Sequence, residues 1–485
     1  MKWRGWHDVN MTNAESRTSK LPQQPVRLIV LGGGPGGYTA ALRAAQKGAQ
    51  VTLVERDLIG GTCLNRGCIP TKVLLASAHA LAQARSGAEF GFDVGGEVRP
   101  NFVRMMERKD RIVGQLRGNV EVLLKKAGVD LVRGTGSLVS RAVVSVESDG
   151  GTREIEADKI IVATGSEPAR LPIFDFDHPS VLTSTSALSL QGIPESLLIV
   201  GAGAIGCEFA SFFAELGTRI TMVEMMSQML PLEDKRIAKQ FQGVYRKKGI
   251  EVLLTTKVES ILEYGAEHVV AKLSDGAEVS AAKILVSVGR TPNTAGIGLD
   301  RAGVQTDSRG YVVVDDHLQT SVPDIHAIGD VIGGMMLAHV ASYEAFVAVD
   351  NCLGAERISD LRSAPSCTYS SPEVASVGMT EEQALESGYS PITGTYRFGA
   401  LGKALAIGED FGYVQIVADG DTDLILGANM LGPHVTDLIH EVGIAVQNGL
   451  TVGELADTIH AHPTLAEAVM EALHDVHGES VHVSR

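Results

Sequence analysis

Val26-Arg27-Leu28-Ile29-Val30-Leu31-Gly32-Gly33-Gly34-Pro35-Gly36-Gly37 reads as a short apolar β-strand running into Gly32-x-Gly34-x-x-Gly37. A helical stretch follows, then a second strand from Val51 to Val54 that ends at Glu55. The same design returns later. Leu197 to Val200 leads into Gly201-x-Gly203-x-x-Gly206, a helical stretch, and a strand from Arg219 to Val223 ending at Glu224. In both copies the acidic residue stands 18 positions after the last glycine. A lone G-x-G-x-x-G is weak evidence, but strand, glycines, helix and acid agreeing twice at one spacing specify two Rossmann units. The first glycine permits a tight turn, the second lets backbone approach a pyrophosphate, and the third lets helix and strand close. The helix N-terminus attracts the phosphate charge. Each unit is therefore expected to bind a dinucleotide.

Directly after the first unit stands Gly60-Gly61-Thr62-Cys63-Leu64-Asn65-Arg66-Gly67-Cys68-Ile69-Pro70-Thr71-Lys72. On an ideal α-helix the Cα atoms of Cys63 and Cys68 would lie roughly 8.6 Å apart, too far for a disulfide. If the pair is bridged, the segment must leave helical geometry, which Asn65 and Gly67 permit. A structural staple is one reading. It would close a very small loop beside a phosphate-binding motif in a chain with only five cysteines, so a redox-active pair is the stronger one.

At 485 residues the chain is long enough for several domains. It is 44% hydrophobic and 5% aromatic with 54 glycines, a balance typical of Gly-punctuated α/β proteins. Its formal charge of −16 argues against nucleic-acid or anionic-membrane partners. No apolar run approaches the roughly 18 residues of a membrane span. Residues 1–24 carry no apolar h-region and read as a disordered extension, with Met11 an alternative start and the cytoplasm the default location. Cys207, Cys352 and Cys367 lack metal-ligand spacing and read as buried thiols, and no metal is expected.

Ile160 to Gly165 and Ile284 to Gly289 are similar apolar strands ending in glycine, each placed to close a nucleotide unit. Ser321 to Asp330 then returns a strand ending in Gly-Asp to the first unit. The tail from residue 363 alternates strands, such as Gly412 to Val417, with helices over 434–449, 452–458 and 464–474. It reads as a separate α+β domain.

Two dinucleotide sites and a redox disulfide imply an electron path between a tightly held flavin, an exchangeable nicotinamide and a dithiol. From about residue 25 to 478 the chain resembles the flavoprotein disulfide reductases, most closely the dihydrolipoamide dehydrogenase branch. The segments that carry the likeness are Gly32 to Tyr38, Cys63 to Lys72, Met336-Leu337-Ala338-His339, Tyr369 to Val377, and His460-Ala461-His462-Pro463-Thr464-Leu465-Ala466-Glu467. The resemblance implies an FAD-binding domain over 25–163, an NAD-binding domain over 164–288, a second part of the central FAD domain over 289–362, and a dimerisation domain over 363–485.

It further implies that Cys63 exchanges with the substrate and Cys68 faces the flavin. Lys72 would stand near the flavin, paired with Glu208; a solvated helical carboxylate is the plainer reading of Glu208. His462, oriented by Glu467, would be the acid/base, supplied from the other subunit of a homodimer. Thr464 to Glu467 also matches a capping box. Glu55 would hold the adenosine ribose of FAD and Asp330 its ribityl chain, with a plain strand-end turn the alternative for Asp330. Thr62, Gly136, Thr164 and Met336 to His339 fall on the flavin side. Gly201, Gly203, Gly206, Glu208, Glu224, Val258 and Gly289 fall on the nicotinamide side. Glu224 accepts hydrogen bonds from a ribose 2′-hydroxyl and repels a 2′-phosphate, so NAD+ is expected over NADP+.

Two features separate branches of the family. No cysteine follows Cys367, unlike enzymes with a second redox pair near the C-terminus, and Glu224 stands where NADP-dependent glutathione reductases carry basic residues. Arg66 departs from the small aliphatic residue common at its position, and a cation there bears on thiolate pKa or on which disulfide is accepted. The resemblance implies lipoyl-bearing partners: the E2 core of 2-oxoacid dehydrogenase complexes or the glycine cleavage H protein. The alternatives are a reductase of another, glutathione-like disulfide and a subunit that serves mainly for docking.

Overall fold

A computed structural model describes residues 24–265 and 268–482. The extension expected over residues 1–24 lies, but for Gln24, outside them. The first glycine-rich turn leaves the centre of a five-stranded parallel sheet ordered Ile325–Ala327, Lys159–Val162, Arg27–Leu31, Gln50–Glu55 and Asp130–Arg133. Leu28 to Leu31 are at most 1% exposed, because helices or smaller sheets cover both faces of a parallel sheet. The strand before Asp330 does return to this sheet, pairing in parallel with Ile160 to Val162.

The second unit repeats the plan, with Glu251–Leu253, Arg219–Val223, Ser196–Val200, Lys283–Val286 and Val181–Thr183 in that order. In each unit the strand before the glycines pairs in register with the strand that ends in the acid, Leu31 opposite Val54 and Val200 opposite Val223. The helix Pro35–Gln46 can close on its strand only because Gly37 has no side chain. A Cβ there would stand 1.8 Å from the Gly32 carbonyl oxygen, and one on Gly206 would stand 2.1 Å from that of Gly201.

The repeat goes further than the glycines. Each unit carries a three-stranded antiparallel sheet, Thr135–Ser140 to Gly151–Glu156 in the first and Val258–Tyr264 to Glu278–Ala281 in the second. Asp149-Gly150 and Asp275-Gly276 lie in their second turns, the dipeptide that most favours tight hairpins.

The C-terminal part is a five-stranded antiparallel sheet, in the order Ser366–Thr368, Glu373–Gly378, Ile425–Gly432, Tyr413–Asp419 and Pro391–Arg397, packed against helices. The helices expected over 434–449 and 452–458 span Val435–Asn448 and Val452–Ala456. The one expected over 464–474 begins only at Glu467. The reason is local: the Thr464 hydroxyl donates to the Ala461 carbonyl instead of capping the helix, and only the Glu467 half of the capping box forms.

One apolar cluster joins all three parts. Leu74, Ala78 and Leu81 of the helix that follows Cys68 pack with Phe209, Phe212 and Phe213 of the second glycine-turn helix, and the cluster continues to Val374, Tyr413 and Leu431. Burying each phenylalanine stabilises the assembly by about 2 kcal/mol. This contact fixes the cysteines relative to both glycine turns. Among the described residues no helix is long and apolar enough to cross a membrane.

Candidate active site

Cys63 and Cys68 form a disulfide with their Cα atoms 4.6 Å apart. The backbone leaves helical geometry at Gly67, with φ −145° and ψ −110°, between the helices Gly61–Arg66 and Cys68–Arg85. Asn65, expected to help break the helix, lies within it instead. Its side-chain amide donates to the Ile59 and Gly61 carbonyls at 2.9 Å, and Arg117 donates to its Oδ1 at 3.3 Å. Asn65 therefore ties the cysteine turn to the end of the glycine-rich region.

The disulfide opens on a cleft of about 740 Å³ whose walls include Gly32, Gly34, Glu55, Thr62, Lys72, Thr164, Asp330, Met336, Leu337 and Ala338. Glu208 lines this same cleft, beside Lys72. Lys72 Nζ lies 2.8 and 2.9 Å from the two Glu208 oxygens and 4.4 Å from the centre of the Tyr369 ring, whose own backbone N–H donates to Glu208 at 3.0 Å. Glu208 is 5% exposed. A carboxylate so enclosed needs these partners, which excludes the solvated reading.

Glu55 and Glu224 are bonded identically. Glu55 accepts from the Gly33 and Asp57 amides at 2.6 and 2.7 Å, and Glu224 from the Ala202 and Met226 amides at 2.8 and 2.9 Å. Each brace holds its glycine turn open. A Cβ built on Gly203 would meet nothing within 4 Å, and one on Gly34 would meet only the Gly61 Cα at 3.9 Å. Both turns thus leave the space above the second glycine that a pyrophosphate occupies, with helix amides beneath it, so the residues present fit dinucleotides.

At the floor of the cleft the sequence reading missed three residues. Ser166 donates from Oγ to Asp330, and Arg290 donates to Ser166 Oγ at 2.6 Å while standing 3.4 Å from Asp330 Oδ2. The Asn293 amide and Thr164 hydroxyl exchange hydrogen bonds with each other's backbone at 2.9 Å. The run Gly289-Arg290-Thr291-Pro292-Asn293, directly after an apolar strand, was the available signal. This bonding rules out a bare strand-end turn at Asp330.

Glu344 was also missed. It is 4% exposed and accepts the Gly329 N–H at 2.7 Å. Burial pushes its carboxyl up to about 7, the nearby Asp330 charge adding to burial and the Gly329 amide opposing both. A carboxyl raised on folding stabilises the protein most when protonated, so this contribution declines as pH rises from about 4.5 to 7. We expect Glu344→Gln to gain about 2.5 kcal/mol over wild type between pH 5 and pH 8, read as the difference in unfolding free energy. An equal offset at both pH values would refute this.

Gly136, Val258, Gly289 and His339 fall outside the cleft walls. Gly136 and Val258 are packing positions: a Cβ on Gly136 would meet Leu31 at 2.8 Å, and Val258 is buried in the core of the second unit. Gly289 bends the chain at φ +121° before Arg290. His339 turns away to the Pro365 carbonyl at 2.9 Å. Cys207 and Cys352 are buried, whereas Cys367 is half-buried and edges the cleft. Burial pushes the Cys352 and Cys367 thiols up to about 12. Arg66 lines the cleft but pairs with Asp57, so its charge is already partnered.

His462 and Glu467 also lie away from the cleft walls. The side chain of His462 is 80% exposed, and its Nδ1 stands 2.7 Å from Glu467 Oε1, leaving Nε2 directed outward. Burial pushes the Glu467 carboxyl up, but hydrogen bonds from His462 and the Thr464 amide together hold it below its usual value. Glu467 thus serves both readings made from the sequence, one oxygen for each.

Two family models match. The pyridine nucleotide-disulphide oxidoreductase model covers residues 26–345, and the dimerisation domain of the same family covers 364–473. The dihydrolipoyl dehydrogenase of Bacillus subtilis is 42% identical over 94% of this chain and 98% of its own length. The mitochondrial dihydrolipoyl dehydrogenase of Pisum sativum is 40% identical over 94% and 92%. Among solved structures, LpdA of Mycobacterium tuberculosis superposes with a TM-score of 0.87 at 29% identity, covering 92% of this chain and 99% of that one. The HOCl-induced flavoprotein disulfide reductase RclA of Escherichia coli gives 0.83 at 32%, covering 92% and 99%. With both halves of the chain matched and the disulfide in its cleft, the chain belongs to the pyridine nucleotide-disulphide oxidoreductase family.

Proposed function

We propose that the chain is a dihydrolipoyl dehydrogenase that oxidises protein-bound dihydrolipoyl groups to the disulfide and reduces NAD+ to NADH, releasing one proton. The observation that carries the reading is the Cys63–Cys68 disulfide in a cleft shared with Lys72, Glu208 and the first glycine turn. Identity of 42% over nearly the whole chain to a dihydrolipoyl dehydrogenase supports the substrate.

A substrate thiol gives its proton to His462 Nε2, and the thiolate attacks Cys63 Sγ. The Cys63–Cys68 bond breaks, leaving a mixed disulfide and a Cys68 thiolate. The second substrate sulfur then attacks its partner, closing the lipoyl ring and passing its proton to the departing Cys63, so both electrons now reside on the cysteine pair. FAD, when bound, supplies the two-electron relay from this dithiol to NAD+. Glu55, Asp330 and the first glycine turn would hold FAD, and Glu224 and the second turn NAD+. Lys72, kept in place by Glu208, would set a positive charge near the flavin.

The working unit is a homodimer in which each His462 serves the other copy's disulfide, and its partners are the lipoyl-bearing proteins of 2-oxoacid dehydrogenase complexes or of glycine cleavage. The test is turnover of dihydrolipoamide with NAD+ against turnover of glutathione disulfide with NADH. Preference for the second pair would favour a reductase of another disulfide, a reading that the likeness to RclA supports.

Glu224 gives a further expectation. Arg219, on the same strand, is 3.7 Å from Glu195 at the strand's far end and is not placed to neutralise it. Glu224→Gln keeps one acceptor for the loop amides and removes the charge facing a 2′-phosphate. The ratio of kcat/KM for NADP+ to that for NAD+ is expected to rise at least about tenfold; an unchanged ratio refutes the role.

A further inference from the structure

Residues 457–463 run between two helices without joining either, and most of their side chains face outward: Ile459 is 96% exposed, and Ala461, His462 and Pro463 are exposed. His460 is the exception. Its side chain is 5% exposed, with Nδ1 2.8 Å from the Thr458 carbonyl oxygen and Nε2 2.6 Å from Glu441 Oε1 on the helix Val435–Asn448. A carbonyl only accepts, so Nδ1 carries the hydrogen, and both ends of the ring are held. Four residues on from His460, the Thr464 hydroxyl donates to the Ala461 carbonyl and its amide to Glu467, both at 2.8 Å.

An exposed irregular segment has little to hold it except such pegs. His462 stands between the two, and a proton-transfer group displaced by 1 Å loses on the order of 10²-fold in rate. We propose that His460 and Glu441 form a positioning strut that sets where His462 presents Nε2. The strut touches neither cysteine nor cleft, so it acts through His462 and not on substrate. The inference rests on the reading of His462 as the acid/base.

The test uses the flavin-loaded protein and variants His460→Phe, Glu441→Ala, Glu441→Gln and His462→Gln. Two activities are measured: dihydrolipoamide oxidation by NAD+, which needs His462, and NADH oxidation by ferricyanide, which bypasses the disulfide. Flavin content and dimer mass are recorded for each.

His460→Phe and Glu441→Ala are expected to lower kcat for dihydrolipoamide 10- to 100-fold, a range consistent with misplacement, while ferricyanide turnover stays within about twofold. Glu441→Gln, whose amide still offers Nε2 a hydrogen bond, should recover most of the loss. The strut is overturned if the first two variants keep dihydrolipoamide turnover within twofold while His462→Gln loses it. It is also overturned if both activities fall together with flavin or dimer, or if Glu441→Gln is as impaired as Glu441→Ala. Retained turnover in His462→Gln overturns the acid/base reading itself, and the strut with it.

Discussion

Cys63→Ser is expected to abolish dihydrolipoamide-dependent NAD+ reduction, by about 10⁴-fold or more on the scale of lost nucleophiles, while leaving a folded, flavin-binding protein. Serine cannot form the disulfide that accepts the substrate's electrons, and no other cysteine stands in for it. Cys367 edges the same cleft, but burial pushes its thiol up to about 12, so almost none is thiolate at neutral pH. The fold survives for a different reason. Losing a cross-link that closes so short a loop costs about 2 kcal/mol, and Asn65 still ties the turn to Ile59 and Gly61. Dihydrolipoamide turnover within tenfold of wild type would sink the mechanism; loss of flavin and of ferricyanide activity with it would show that the disulfide's role is structural.

His462→Gln is expected to cost 10²- to 10⁴-fold in the same assay, the usual range for a lost general base, with almost no change in thermal stability. The side chain is 80% exposed and its partner among the described residues is Glu467, so its removal falls within the small effects of surface substitutions, about 0.5 kcal/mol. A large catalytic loss at an exposed residue outside the cleft requires that something bring the residue to the cysteines, and a second copy of the chain does so in the proposed dimer. Mixed subunits test this directly. Neither Cys63→Ser nor His462→Gln turns over alone, yet a hybrid dimer holds one site with both groups intact. Random re-association makes half of the dimers hybrid, so about a quarter of wild-type activity should return. No recovery, with hybrid dimers shown to form, would place His462 and Cys63 within one subunit.

Much of the nucleotide architecture was legible because its constraints are local. A glycine is demanded where a Cβ would strike a carbonyl at 1.8 or 2.1 Å, and that demand recurs at the same spacing in both units. Glu55 and Glu224 follow from the same spacing, since each strand is paired in register with the one before the glycines. The antiparallel sheets inserted in both units went unread, although Asp149-Gly150 and Asp275-Gly276 marked their turns. The helix expected from residue 464 starts at Glu467 because a hydroxyl chose a carbonyl over a cap. Asn65 was read by propensity as a helix breaker, but its amide satisfies carbonyls from inside the helix.

By itself the sequence determined the two Rossmann units, the redox pair between them and a separate C-terminal domain, because steric demands and hydrophobic period act over a few residues at a time. Only the tertiary structure decided that Asp330 is clamped by Ser166 and Arg290, that Glu344 braces the turn before it, and that His460 is bonded to Glu441. Those partners lie 15 to 164 residues apart. Nothing in a residue's neighbours along the chain says which distant oxygen will be left to accept its hydrogen once both are buried, and it is burial that makes each such pairing obligatory.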